Sequence, residues 1–126
     1  MYDNDPFSQW MGMELVSIGT GTCSLRMTVR AEMLNGFGVA HGGITFSLAD
    51  SAFAFACNSS GRHTVSIHCT VEHVAPVFEN DILTATATEE NLGNSISNYA
   101  IKVTKQDGSA VAFFRGVAFR KKKVWE

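Results

Sequence analysis

No excess of basic charge marks this chain. Ten lysines and arginines stand against twelve acidic residues, a net charge of −2. A general nucleic-acid binder is usually strongly basic, so no nucleic-acid partner is expected. No long apolar run is present either. The longest stretch, around Phe46–Cys57, is interrupted by Ser47, Asp50 and Ser51. It is too short and too polar to cross a bilayer. The opening MYDNDP has no charged-then-apolar leader, so a cytoplasmic protein without a membrane partner is expected. Cysteine is scarce. Cys23, Cys57 and Cys69 are odd in number, widely spaced and form no CxxC pair. Small buried thiols in a reducing compartment are the expectation. No internal repeat and no linker is visible.

What is present suits one domain over residues 1–126 with one core, since nearly half the residues are apolar. Asp5-Pro6 reads as a helix cap followed by proline at the first helical position, opening a short helix to about Met11. Met13–Ile18 is a strand candidate, and Gly19-Thr20-Gly21 a turn. Thr22–Arg30 alternates, with Cys23, Leu25, Met27 and Val29 on one face, as a half-buried hairpin strand does. A glycine-rich loop, Leu34–Gly43, leads into Ile44–Asn58, whose apolar residues surround the helical wheel. Such a helix is expected to be buried on all sides. Ser59, Ser60 and Gly61 end it. Strands follow at His63–Val74, Asp81–Asn91, Ser95–Lys105 and Ser109–Arg120, then a polar tail, Lys121–Glu126. Gln106-Asp107-Gly108 is a hairpin signal. This order predicts an α+β fold with an antiparallel sheet wrapped around one long central helix. The sheet's free edges predict a homodimer joined edge to edge.

Asp50 is the anomaly. Its helical neighbours are Phe46, Ser47, Phe53 and Ala54. A carboxylate there loses hydration, which raises its pKa. Such a group is rare in a core unless it is paired or working. A structural ion pair or a hydrogen bond at a subunit contact would also explain it. Gly42 and Gly43 bare backbone N–H groups at the positive end of the helix, where an oxyanion could be held. A tight turn would need the same glycines. Gly42 and Asp50 are eight residues apart, about 12 Å along one helix. One carbonyl carbon cannot be within about 3 Å of both. A site that uses both groups needs Asp50 from a second helix lying antiparallel to the first, as a two-fold dimer supplies.

The run Leu34-Asn35, His41-Gly42-Gly43 and Phe46-Ser47-Leu48-Ala49-Asp50 resembles the signature of hotdog-fold acyl-CoA thioesterases. More narrowly it resembles the phenylacetic-acid-degradation thioesterases of the PaaI type. The opening Met1–Asp5, Ala56-Cys57-Asn58 and Phe114-Arg115-Gly116 also look family-like. The resemblance implies the hotdog fold, an acyl-CoA substrate of the (hydroxy)phenylacetyl type, and no cofactor beyond the coenzyme A the substrate carries. It implies that the Gly42 N–H meets the thioester oxygen. Asp50 of the facing subunit is then nucleophile or general base. Asn35 is to hold the attacking water or the leaving sulfur side, and His41 to position the loop and Asn35, although a plain loop histidine would look the same. Ser66 is to orient Asp50 or the water. Ala54 stands where one branch of the fold has a working threonine, so that role is absent or moved. Gly43, Phe37, Phe46 and Phe53 are substrate-binding candidates, though phenylalanine on a buried helix is also ordinary core. The expected assembly is a dimer at minimum and a tetramer as a dimer of dimers.

His68-Cys69-Thr70-Val71-Glu72-His73 suggests a metal site. On a strand, however, His68 and Glu72 share one face while Cys69 and His73 share the other, so no metal is expected. Arg62 and Arg120-Lys121-Lys122-Lys123 could meet coenzyme A phosphates or simply be solvated. Two other functions compete: a hotdog enoyl-CoA hydratase, for which no histidine partner to Asp50 is evident, and a non-catalytic acyl-CoA sensor.

Overall fold

A computed structural model describes residues 2–125. Met1, from the family-like opening, and Glu126, from the expected tail, lie outside them. The first helix, α1, spans Pro6–Trp10, where Asp5 accepts the Ser8 N–H at 3.1 Å. Strands β1 (Glu14–Gly19) and β2 (Thr22–Thr28) form the hairpin, with Gly21 at φ +74° in its turn. The long helix α2 is Gly42–Asn58, and Gly61 follows its end at φ +97°. Four strands complete the chain: β3 (Arg62–His73), β4 (Ile82–Leu92), β5 (Ile96–Thr104) and β6 (Ala110–Val124).

All six strands form one antiparallel sheet in the order β1-β2-β4-β5-β6-β3. The alternation along each strand explains which face is covered. Cys23, Leu25 and Met27 of β2, Leu83, Ala85 and Ala87 of β4, and Ile101 and Val103 of β5 are all buried. Against them packs the α2 face carrying Leu48, Ala49, Ala52, Phe53 and Ala56. One glycine makes that contact possible. A Cβ on Gly116 of β6 would stand 2.6 Å from the Phe53 ring.

Two expectations need correction. α2 is not enclosed by its own chain: Ser47, Asp50, Ser51, Ala54 and Asn58 stay half-buried on a stripe turned from the sheet core. A single sheet covers one side of a helix, and α1 covers only part of the rest, with Ser8 Oγ 3.2 Å from Ser51 Oγ. Second, the polar tail is strand. β6 runs on to Val124, which pairs with Arg62. Trp125 then stacks on His63 at 3.8 Å and donates its indole N–H to Asn58. Among the described residues no helix is long and apolar enough to cross a membrane.

Candidate active site

The loop before α2 is built on Asn35. Its Oδ1 accepts the Phe37 N–H at 2.9 Å and the Val39 N–H at 3.4 Å. Its own N–H donates to Val39 O, and Gly38 turns the chain at φ +80°. The Asn35 side-chain oxygen is thus occupied within the loop, and its amide N–H₂ remains for other partners. Beyond it, Ala40 N–H donates to Val77 O and His41 N–H to Met33 O, which anchors the approach to the helix.

His41 is the N-cap of α2, its Nδ1 accepting the Gly43 N–H at 2.9 Å. Its side chain acts on the helix rather than on Asn35. Ile44 N–H returns to His41 O. The sequence bares two glycine N–H groups; the structure leaves one. Gly43 is used by the cap, whereas the Gly42 N–H has no partner among the described residues. That free donor stands at the positive end of a 17-residue helix.

Asp50 lies two turns further on. Its carboxylate has no hydrogen-bond or ion-pair partner among the described residues, and burial raises its pKa. No structural ion pair among the described residues accounts for it. The Asp50 charge also helps burial raise the pKa of the Cys69 thiol on β3, so this side of α2 faces β3. Burial pushes Cys57 to about 12 and Cys23 to about 11, so both stay as thiols at neutral pH.

β3 supplies the wall beside both groups. Opposite residues of an antiparallel pair share a face. Cys69, Val71 and His73 pair with Gly116, Phe114 and Ala112, whose buried side is the helix side. Parity would place Ser66 on the other face. An irregularity between Ser66 and His68 shifts the register, so Ser66 pairs with buried Ala118 and joins the helix side. The split of His68 and Glu72 from Cys69 and His73 is as read from the sequence. Among the described residues no three His, Cys, Asp or Glu side chains converge as a metal site requires.

The phenylalanines separate. Phe37 is 91% exposed at the loop tip, and Phe46 is half-buried, edge-on to Phe114. Phe53 is 1% exposed and packs on Tyr99, Phe114 and Gly116. It is core rather than site lining, because its helix face is the one turned into the sheet. The Arg62 guanidinium bonds the Lys121 and Arg120 carbonyls, and Arg120 bonds Gly93 O, so both arginines staple strands. Lys121, Lys122 and Lys123 are exposed.

The sequence reading missed His73 as a neighbour of the helix start. Its Nε2 lies 3.3 Å from where a Gly42 Cβ would be. The only local signal was its place on the same strand face as Cys69. Nearness to Gly42 is a long-range contact.

The chain is similar to known proteins in sequence and in fold. Residues 37–112 match the family described as the thioesterase superfamily. The acyl-coenzyme A thioesterase PaaI of Escherichia coli (strain K12) is 43% identical over 120 residues, 95% of this chain and 86% of that protein. A putative esterase of Archaeoglobus fulgidus is 35% identical, over 95% of this chain and 78% of its own length. Among solved structures, that of the E. coli PaaI protein from the phenylacetic acid degradation operon superposes with a TM-score of 0.97, covering 98% of this chain and 90% of that one at 42% identity. The sheet and helix are those of the hotdog fold.

Proposed function

This chain belongs to the thioesterase superfamily and is an acyl-CoA thioesterase; from that premise we propose that it hydrolyses aryl-acyl-CoA, above all phenylacetyl-CoA or its ring-hydroxylated forms, to the free acid and CoA. The operon named for the E. coli relative and two phenylalanines, Phe37 at the loop tip and Phe46 early in α2, support the aryl group. No cofactor takes part beyond the CoA of the substrate, and the setting is cytoplasmic.

The observation that carries the mechanism is the separation of one free donor from one free carboxylate. Gly42 and Asp50 are about 12 Å apart along α2. The same interval recurs on β3, where His73 borders Gly42 and Cys69 feels Asp50. Four strand residues span about 13 Å, so α2 and β3 run side by side in opposite directions. β3 is also a free edge, 12 residues long, with Val65 41% and Ile67 56% exposed. Edges of that length and character are normally covered. A two-fold partner joined along β3, its axis passing near Val71, sets Cys69 of one subunit opposite His73 of the other. It thereby brings Asp50 to the other subunit's Gly42. Two such dimers pair into the tetramer.

In each site the Gly42 N–H holds the thioester oxygen as negative charge develops there. Asp50 takes a proton from water while the water oxygen adds to the carbonyl carbon, and collapse of the intermediate expels CoA as the thiolate. Direct attack by Asp50 would instead form an anhydride that water then cleaves. Burial makes Asp50 the stronger base for either role. Asn35 offers its amide N–H₂ to the water or the sulfur. Ser66, on the helix side of β3, orients Asp50 or the water. Lys121–Lys123, exposed on β6, are cations that can meet phosphate.

Mixing two dead variants tests the shared site. Gly42→Pro removes the donor and also sets a Cβ against the His73 ring, and His41 at φ −58°, ψ 138° already has a backbone suited to precede proline. Asp50→Asn removes the base. Co-expressed at equal levels, the two should recover about a quarter of wild-type thiol release from phenylacetyl-CoA, because half the dimers are mixed and each holds one intact site. No recovery despite mixed dimers would place the site within one chain. Hydration of an enoyl-CoA without thiol release would overturn the activity itself.

A further inference from the structure

We propose that His73 is a further catalytic residue of this site, its Nε2–H donating a second hydrogen bond to the thioester oxygen held by Gly42. The inference rests on the reading of Gly42 as the oxyanion donor.

A helix start ordinarily offers several free N–H groups to an anion. Here it offers one, because His41 Nδ1 takes the Gly43 N–H and His41 O takes that of Ile44. A developing oxyanion held by one donor is left short of partners. The nearest polar side-chain atom to the open face of Gly42 is His73 Nε2, 3.3 Å from the Cβ position. That position is about 2.5 Å from the Gly42 nitrogen by standard bond geometry. The two nitrogens are therefore no more than about 5.8 Å apart. Donors that close can share one oxygen when both N–H groups point at it.

The surroundings fit an acceptor arriving from outside. His73, Gly42 and Thr45 line one groove of about 430 Å³ with the Val74–Val77 segment. Within one chain the His73 ring is exposed and has no hydrogen-bond partner among the described residues, so both ring nitrogens are available to a substrate. Glycine at position 42 keeps the space between the two donors open, since any Cβ there would press on the imidazole.

His73→Phe keeps a ring of similar size and removes the donor, whereas His73→Gln keeps a donor. In the assembled wild-type oligomer background, His73→Phe should lower kcat for phenylacetyl-CoA about 100-fold with little change in KM. His73→Gln should restore part of that loss. An S-alkyl-CoA thioether has no carbonyl oxygen, and its inhibition constant should be the same for wild type and His73→Phe. Wild-type kcat in His73→Phe overturns the inference, as does equal damage in both variants accompanied by weaker thioether binding. Should His73→Phe fail to assemble, His73→Ala serves for the same three measurements. Failure of the parent reading looks different, because Asp50→Asn would then retain activity. If Asp50→Asn abolishes it while His73→Phe does not, only the role of His73 falls.

Discussion

Two aspartates lie inside the fold in opposite circumstances. Asp81, in the turn before β4, is 9% exposed. It accepts the Phe78 N–H at 2.8 Å and the Gln106 amide at 2.9 Å, and lies 3.5 Å from Lys105 Nζ. Burial by itself would raise its pKa, but the Gln106 amide, the Phe78 N–H and Lys105 together hold it below the usual value. Asp50, half-buried on α2, has no such partner, and burial raises its pKa unopposed. One carboxylate holds a turn together. The other is kept short of partners, as a group waiting for a proton or a substrate is. Burial alone does not distinguish the two; the accounting of partners does.

The largest effect that would break this contrast is on turnover. Asp50→Ala should cut kcat by on the order of 10³-fold or more while the oligomer and its circular dichroism stay intact. Asp81→Ala should leave kcat unchanged. A normal rate in Asp50→Ala would make the two aspartates equivalent and remove the mechanism.

The next effect is on stability. Asp81→Ala leaves the Phe78 N–H and Gln106 amide short of an acceptor, and should cost about 1–3 kcal/mol in urea unfolding at neutral pH. A null result there would mean that water replaces the carboxylate without loss.

The smallest effect has the most specific sign. Asp50 has a raised folded-state pKa. Its contribution is fully present below the ordinary carboxylate value and is lost as pH rises through the raised one. Asp50→Asn should therefore melt higher than wild type at pH 7, the gain disappearing near pH 3. Asp81 has a lowered pKa, so its contribution is present at neutral pH and lost as pH falls through that lowered value. Asp81→Asn should melt lower at pH 7, with the deficit shrinking in acid. Parallel behaviour of the two variants across this range would show that their surroundings do not differ as described.

How much of this was legible beforehand depended on distance along the chain. Asp50 stood out because its helical neighbours are apolar, a local property. The cap at Asp5, the glycine turns and the alternation of β2 are local too, and the structure has them where expected. The choice between Gly42 and Gly43 was not legible, since both lack side chains and only the His41 rotamer spends one of their N–H groups. Ser66 lies on the helix side for a reason parity could not supply, the irregular register after it. The tail was misread because three lysines look solvated, although their strand is pinned by Arg62 and Trp125. Phe53 could not be sorted between core and site, because a sequence apolar on all sides hides which side meets the sheet.

The sequence by itself determined the elements, their order, the apolar faces and the one carboxylate out of place. These follow from periodicity, glycine and capping chemistry, which act over a few residues. Tertiary structure alone decided which donor at the helix start is free, that β3 walls the site with His73 beside Gly42, and that the helix keeps an uncovered stripe. Those features depend on segments about thirty residues apart meeting through strand register and packing, and no local pattern encodes such a meeting.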